Sequence, residues 1–273
     1  MSTQKQYRGR ALITGASAGI GAIYADRLAR RGYDLVLTGR DASRLRAVAD
    51  AVSRDTGRKV ETLVADLASK ADLLKIEERL RSDASLTLLV NNAGLGGPDA
   101  FLDSDPDKLE QMIQVNVIAL TRLTRAAAPA FVARGDGAII NIASVVALVP
   151  EILNGTYSGT KAFVVNFTHS LNNEVAPKGV RVQAVLPGAT RTEFWDRAGH
   201  PITNVPSEIL MSAEDLVDAA LAGFDQGELI TIPSLPDAGD WERYDSARKA
   251  LHPNLSHKRA AERYKVVATA VRQ

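Results

Sequence analysis

A short apolar strand, Ala11-Leu12-Ile13, runs straight into Thr14-Gly15-Ala16-Ser17-Ala18-Gly19-Ile20-Gly21, and a helical pattern through Ile23, Tyr24 and Leu28 follows as far as Gly32. Strand, glycine-rich turn and helix in that order constrain the fold strongly. The glycines let the backbone approach a pyrophosphate, and the helix N-terminus offers free N–H groups with a partial positive charge. The spacing is Gly-x-x-x-Gly-x-Gly, which also fits a purely structural glycine turn, so the rest of the chain has to decide between the two.

The rest of the chain repeats the alternation. Strands are expected at Asp34 to Thr38, Val60 to Val64, Leu86 to Val90, Ala138 to Ile142, Val180 to Leu186 and Glu228 to Ile232. Helices are expected between them: Asp41 to Val52, Lys70 to Arg81, Pro106 to about Ala133, Tyr157 to about Ala176 and Ala213 to Asp225. Seven strands alternating with helices predict an α/β fold, a doubly wound, mostly parallel sheet covered on both faces. We read one domain over 1–273, with a core over about 8–232, a lid over 188–211 and a basic extension over 233–273. The segment Val145 to Thr156 reads as an apolar loop suited to a pocket wall. Thr190 to Met211, with Phe194, Trp195 and His200, reads as an irregular lid. From Trp241 onward eight Lys/Arg face three acidic residues. There the spacing of Tyr264, Val267, Ala268 and Val271 predicts a basic amphipathic helix that docks on protein in preference to membrane.

Chemistry concentrates at Tyr157-Ser158-Gly159-Thr160-Lys161. On a helix, residues four apart share a face, so the Tyr157 phenol and the Lys161 ammonium emerge together. The expectation is that the ammonium lowers the phenol's pKa and makes it a general acid. A carbonyl oxygen becoming an alkoxide needs a proton and a second hydrogen bond, and Ser144, beyond the strand Ala138 to Ile142, can donate the latter. Asn116 lies on the apolar face of its helix among Ile113, Val115, Val117 and Leu120, so its amide needs a polar partner. Arg40 ends the second strand, where an acid would accept from a ribose 2′-hydroxyl and an arginine suits a 2′-phosphate; it also reads as a solvated arginine.

Composition narrows the chemistry further. The 273 residues are 45% hydrophobic and 24% charged with a formal net charge of +1, which gives no electrostatic case for nucleic acid or membrane as partner. A polar N-terminus without an apolar signal region predicts a cytoplasmic protein. Cysteine is absent and His169, His200, His252 and His257 have no metal-ligand spacing, so no metal is expected.

Taken together, Thr14 to Gly21, Asp66, Asn91-Asn92-Ala93-Gly94, Asn116, Ser144, Tyr157 with Lys161, and Pro187-Gly188 resemble the short-chain dehydrogenase/reductase family over about residues 8 to 232. The resemblance implies a single-domain Rossmann fold and reversible hydride transfer between a carbonyl and an alcohol with NADP(H) preferred and NAD(H) as the alternative. It implies a tetrad of Asn116, Ser144, Tyr157 and Lys161: Tyr157 as acid/base, Ser144 orienting the carbonyl, Lys161 on the nicotinamide ribose, and Asn116 on a water leading to Lys161. Gly15, Ser17, Gly19, Ile20 and Gly21 would hold the pyrophosphate, Arg40 the 2′-phosphate, Asp66 and Leu67 the adenine, and Asn92, Ala93 and Gly94 the adenosine side. Pro187, Gly188, Thr190 and Thr192 would also bind the cofactor. Ala18 departs from members that carry a second basic residue there, leaving Thr38 and Ser43 as helpers to Arg40. The resemblance also implies a homodimer or homotetramer. The function expected is an NADPH-dependent carbonyl reductase acting on a small molecule. A 3-oxoacyl-thioester reductase is the alternative within enzymes, and a non-catalytic NADP(H)-sensing protein the alternative outside them.

Overall fold

The computed structural model describes residues 8–96, 100–197 and 201–264. The polar N-terminal stretch, His200 and the helix expected around Val267 to Val271 lie outside the described residues. The polypeptide divides into two compact units, Met1–Pro233 and Ser234–Gln273.

The first unit is built from β1 (Arg10–Thr14), α1 (Gly19–Arg30), β2 (Asp34–Gly39), α2 (Ala42–Thr56), β3 (Val60–Val64), α3 (Lys70–Ser82), β4 (Leu86–Asn91), α4 (Pro106–Ile113), α5 (Leu120–Arg134), β5 (Gly137–Ile142), α6 (Gly155–Val175), β6 (Val180–Val185), β7 (Thr190–Arg191), α7 (Phe194–Arg197), β8 (Met211–Ser212), α8 (Ala213–Gln226) and β9 (Ile230–Thr231). Seven strands form one sheet in the order β3-β2-β1-β4-β5-β6-β9, and every neighbouring pair is parallel. The strand order reverses between β1 and β4, which opens a crevice at their carboxyl ends, where ligands bind in sheets of this kind.

Strands buried on both faces need apolar residues at consecutive positions, and these have them. Ile13, Leu35, Leu37, Val90 and Ile140 pack one face against Tyr24, Leu28, Leu45, Leu216 and Phe224 of α1, α2 and α8. Leu12, Val36, Leu89, Ile139 and Val182 pack the other against Leu73, Ile76, Leu80, Leu123, Phe131 and Leu171 of α3, α5 and α6.

Three expectations need correcting. The single helix expected from Pro106 to about Ala133 is interrupted by a π-helical stretch, Gln114–Ala119, that carries Asn116. The helix holding Tyr157 starts two residues earlier, at Gly155, because the Asn154 side chain accepts from the Thr156 N–H and caps it. The segment 188–211 is not wholly irregular: Thr190 and Arg191 pair in parallel with Met211 and Ser212, closing its two ends on each other. The second unit contains a helix, α9 (Ala238–Ala250), which lies ahead of the positions Tyr264 to Val271 whose spacing predicts a helix in this extension.

Candidate active site

The crevice is held open by amides. The Asn92 side chain donates to the carbonyl oxygens of Thr14, at 2.8 Å, and Gly15, at 3.2 Å, so β4 pins the glycine turn. Thr14 Oγ1 accepts in return from the Asn92 and Ala93 N–H groups. Gly15 takes a left-handed φ of +66°, and a Cβ on Gly21 would sit 2.4 Å from the Gly15 carbonyl oxygen and 2.5 Å from Asn92 Nδ2. Only glycine fits at 21.

Helix α1 then begins at this turn with a free N-terminus. Its N-cap is Ala18, no side chain caps it, and no acid stands in its first turn. By contrast Asp41, Ser69, Asp105, Asn154 and Ser212 cap α2, α3, α4, α6 and α8. Uncapped N–H groups with a positive partial charge beside a glycine turn fit a pyrophosphate.

Around the adenosine end of the crevice, Arg40 is exposed and has no hydrogen-bond or ion-pair partner among the described residues. Asp41 turns back to accept from the Arg44 N–H at 3.0 Å and so caps α2, as its position predicts. Thr38 is buried with its hydroxyl shielded, which removes it as a helper to Arg40; Ser43 is exposed. Asp66 folds its carboxylate onto the Ala68 N–H at 2.9 Å, with Leu67 buried beside it. Arg44, which sequence reading passed over, pairs with Glu193 from the segment after β7.

The reaction end brings the four expected residues together. Tyr157 and Lys161 sit in the first turns of α6 and both are buried. Lys161 Nζ donates to the Ile142 carbonyl oxygen at 3.0 Å and lies 5.7 Å from the centre of the Tyr157 ring. Ser144 follows the end of β5, where its hydroxyl donates to the Pro187 carbonyl at 3.3 Å and also hydrogen-bonds Tyr157. Asn116 Oδ1 accepts from the Leu95 N–H, and Nδ2 donates to the Leu95 carbonyl and to Thr160 Oγ1. A Cβ on Gly94 would lie 3.4 Å from both Asn116 Oδ1 and Lys161 Nζ, so the Gly94 backbone runs between them. Pro187 and Thr190 are buried, and Thr190 Oγ1 donates to the Gly188 carbonyl at 3.0 Å. Thr192 packs its methyl near Gly19.

The electrostatics differ from expectation. Burial pushes the Tyr157 phenol up to about 12, with the hydrogen bond between it and Ser144 pulling the other way. Burial pushes the Lys161 ammonium down to about 8. Desolvation penalises whichever form is charged, and here it outweighs the mutual help expected of the pair, because Lys161 reaches past the ring to Ile142.

Among the described residues no helix is long and apolar enough to cross a membrane, and no group of three or more acidic or histidine side chains could hold a metal ion.

A parallel sheet with a glycine turn at its switch point and a buried Tyr-Lys pair beside it defines a dinucleotide-dependent oxidoreductase. The chain belongs to the short chain dehydrogenase family, whose model matches residues 10–202. It is 49% identical to a short-chain dehydrogenase from Sphingobium yanoikuyae solved in complex with NADPH, with a TM-score of 0.91 over 94% of this chain and 100% of that one. It is 43% identical to the bulky-bulky ketone specific alcohol dehydrogenase from Comamonas testosteroni, with a TM-score of 0.88 over 95% and 99%. It is also 36% identical to the very-long-chain 3-oxoacyl-CoA reductase-B of Danio rerio over 72% of this chain, and spans 64% of that protein's length.

One consequence of the buried ammonium is measurable. In the unfolded chain Lys161 titrates near its ordinary 10.5, and in the folded protein near 8. Between those values the unfolded state binds more protons, so stability rises with pH, and the penalty is fully present below about 8. Denaturant titrations without added cofactor are therefore expected to show wild type gaining roughly 3 kcal/mol on Lys161→Met between about pH 8 and pH 10.5. A difference that stays flat with pH would mean that Lys161 titrates normally.

Proposed function

We propose that this protein is an NADPH-dependent carbonyl reductase, reversibly an alcohol dehydrogenase, acting on small apolar ketones or aldehydes. The observation that carries the reading is the buried Tyr157 phenol, hydrogen-bonded to Ser144, next to Lys161 at the mouth of the dinucleotide crevice. NADPH when bound would supply the hydride. The turn Gly15, Ser17, Gly19, Ile20 and Gly21 and the uncapped end of α1 would hold its pyrophosphate, with Asp66, Leu67, Asn92, Ala93 and Gly94 along the adenosine side. Arg40 would meet the 2′-phosphate.

In this reading Ser144 orients the carbonyl oxygen and Tyr157 gives it the proton, a transfer suited to a phenol that burial keeps protonated. Lys161 holds the nicotinamide ribose and, while charged, stabilises the phenolate left behind. Asn116 has spent both amide hydrogens and one lone pair on Leu95 and Thr160, which leaves one lone pair for a water leading to Lys161. Pro187, Gly188, Thr190 and Thr192 line the nicotinamide half. A sensor that does not turn over has no use for Ser144, Tyr157 and Lys161 together. Tyr157 shares a hydrophobic cluster with Met112 and Val146, against which Leu95, Leu109, Leu153 and Phe194 pack, and this apolar surface favours apolar groups beside the carbonyl. The Danio rerio relative supports a second reading, reduction of a 3-oxoacyl thioester.

Both readings are separated by following NADPH consumption with aryl ketones and with 3-oxoacyl thioesters. Cofactor choice is tested in the same assay. A charge-assisted hydrogen bond from Arg40 is worth about 1.5–3 kcal/mol, a preference for NADPH over NADH of about ten- to a hundredfold, and with Ala18 in place of a second cation the lower half is expected. Gly39 has room for a side chain, its Cβ meeting Ser17 at an ordinary 3.5 Å. Gly39→Asp with Arg40→Leu should therefore reverse the preference in kcat/KM. An unchanged ratio would make Arg40 a surface arginine.

We also infer a homodimer or homotetramer. Ile113, Ile118 and Phe163 are exposed on the α4 to α5 stretch and on α6, with Phe163 stacked on Phe167 at 5.7 Å, and such apolar surface suits a subunit contact. Light scattering at micromolar concentration should give a multiple of the 29.2 kDa chain; a monomer would contradict this.

A further inference from the structure

The reaction end carries one feature that the family motifs do not explain. Phe194, from the segment between β7 and β8, places its ring 6.0 Å from the Tyr157 ring, tilted by 42°. The far end of the same ring lies over Gly96: a Cβ there would stand 2.2 Å from Phe194 Cζ. Any other residue at 96 would evict the ring. Phe194 is thus seated in a notch made by a missing side chain.

The seat is anchored from behind. Trp195 packs edge-on against Phe194 with ring centres 5.9 Å apart, and its indole N–H donates to the Thr190 carbonyl at 2.8 Å. The Phe194 N–H donates to Thr192 Oγ1, and β7 is itself paired with β8. Along this short run Thr192 meets Gly19, Glu193 meets Arg44 and Phe194 meets Gly96, so the segment is fixed at three successive residues.

We propose that Phe194, seated on Gly96, is the specificity-determining residue that sets the upper size of the group a ketone can place beside Tyr157. This rests on the carbonyl-reductase reading. The ring fills space next to Tyr157, packed against the cluster that Tyr157 forms with Met112 and Val146, and a second bulky substituent would need that space. A substrate with one large and one small group leaves the ring in place. A substrate with two large groups has to displace it, losing the contacts with Gly96, Tyr157 and Trp195.

The test compares kcat/KM for acetophenone, with one ring, and benzophenone, with two, in wild type, Phe194→Leu, Phe194→Ala and Gly96→Ala. Both Phe194 variants should raise the benzophenone-to-acetophenone ratio, the alanine by about tenfold or more, which is the scale of pocket-size discrimination. Gly96→Ala keeps the ring in the chain but denies it its seat, and should move the ratio in the same direction; it guards against a Phe194 variant whose loop fails to fold. If wild type reduces acetophenone and all variants keep its ratio, the inference about Phe194 is overturned and the reductase reading stands. If wild type reduces neither ketone, the ketone reading falls and this inference with it.

Discussion

The hydrogen bond from Lys161 Nζ to the Ile142 carbonyl is the contact on which the reaction end depends. It ties α6 to the carboxyl end of β5, one helical turn beyond Tyr157 and two residues before Ser144, so three functional groups take their places from one anchor. The cost is a buried ammonium. Desolvation lowers its pKa and raises that of the neighbouring phenol, so a phenol that keeps its proton stands beside an ammonium that gives its proton up more readily than an exposed lysine. The capping of α6 by Asn154 and the passage of the Gly94 backbone between Lys161 and Asn116 serve the same placement.

Around that anchor a set of buried amides holds the strand ends together. Asn91 donates to Thr124 and to Asn141, and Asn141 donates to Thr168, so the ends of β4 and β5 are joined to each other and to α5 and α6 through side chains. Asn92 joins β4 to the glycine turn after β1, and Asn116 joins the π-helical stretch to Leu95. A buried amide costs stability unless its hydrogen bonds are made; these networks use the amide hydrogens of Asn91, Asn141 and Asn116, while Asn91 Oδ1 is buried without a partner. The π turn at Asn116 has a local rationale, since a widened turn lets the side chain reach the backbone of another segment.

Much of this was legible in the sequence. Continuous apolar runs at Leu35 to Leu37 and Ile139 to Ile140 announce strands covered on both faces, and Gly15 and Gly21 announce a turn that tolerates no side chains. Tyr157 and Lys161 share a face because helix geometry requires it. What escaped depended on contacts between distant residues. The pairing of Thr190 with Met211, the ion pair of Arg44 with Glu193 and the seat of Phe194 on Gly96 join positions far apart in the chain with no local signal on either partner. The direction of the Tyr157 shift escaped for another reason: spacing reports that a lysine is near, whereas burial, which here outweighs it, is a property of the folded core.

The central claim is that the buried phenol of Tyr157 is the proton donor in a site whose cofactor binding is built elsewhere. Single-turnover hydride transfer from NADPH to a ketone, measured in Tyr157→Phe alongside NADPH affinity, tests it most directly. The ring and its packing are kept and only the hydroxyl is lost. The rate is predicted to fall by about a hundredfold or more with NADPH affinity near wild type. A variant that keeps more than about a tenth of the wild-type rate would contradict the account, because the proton would then come from another group.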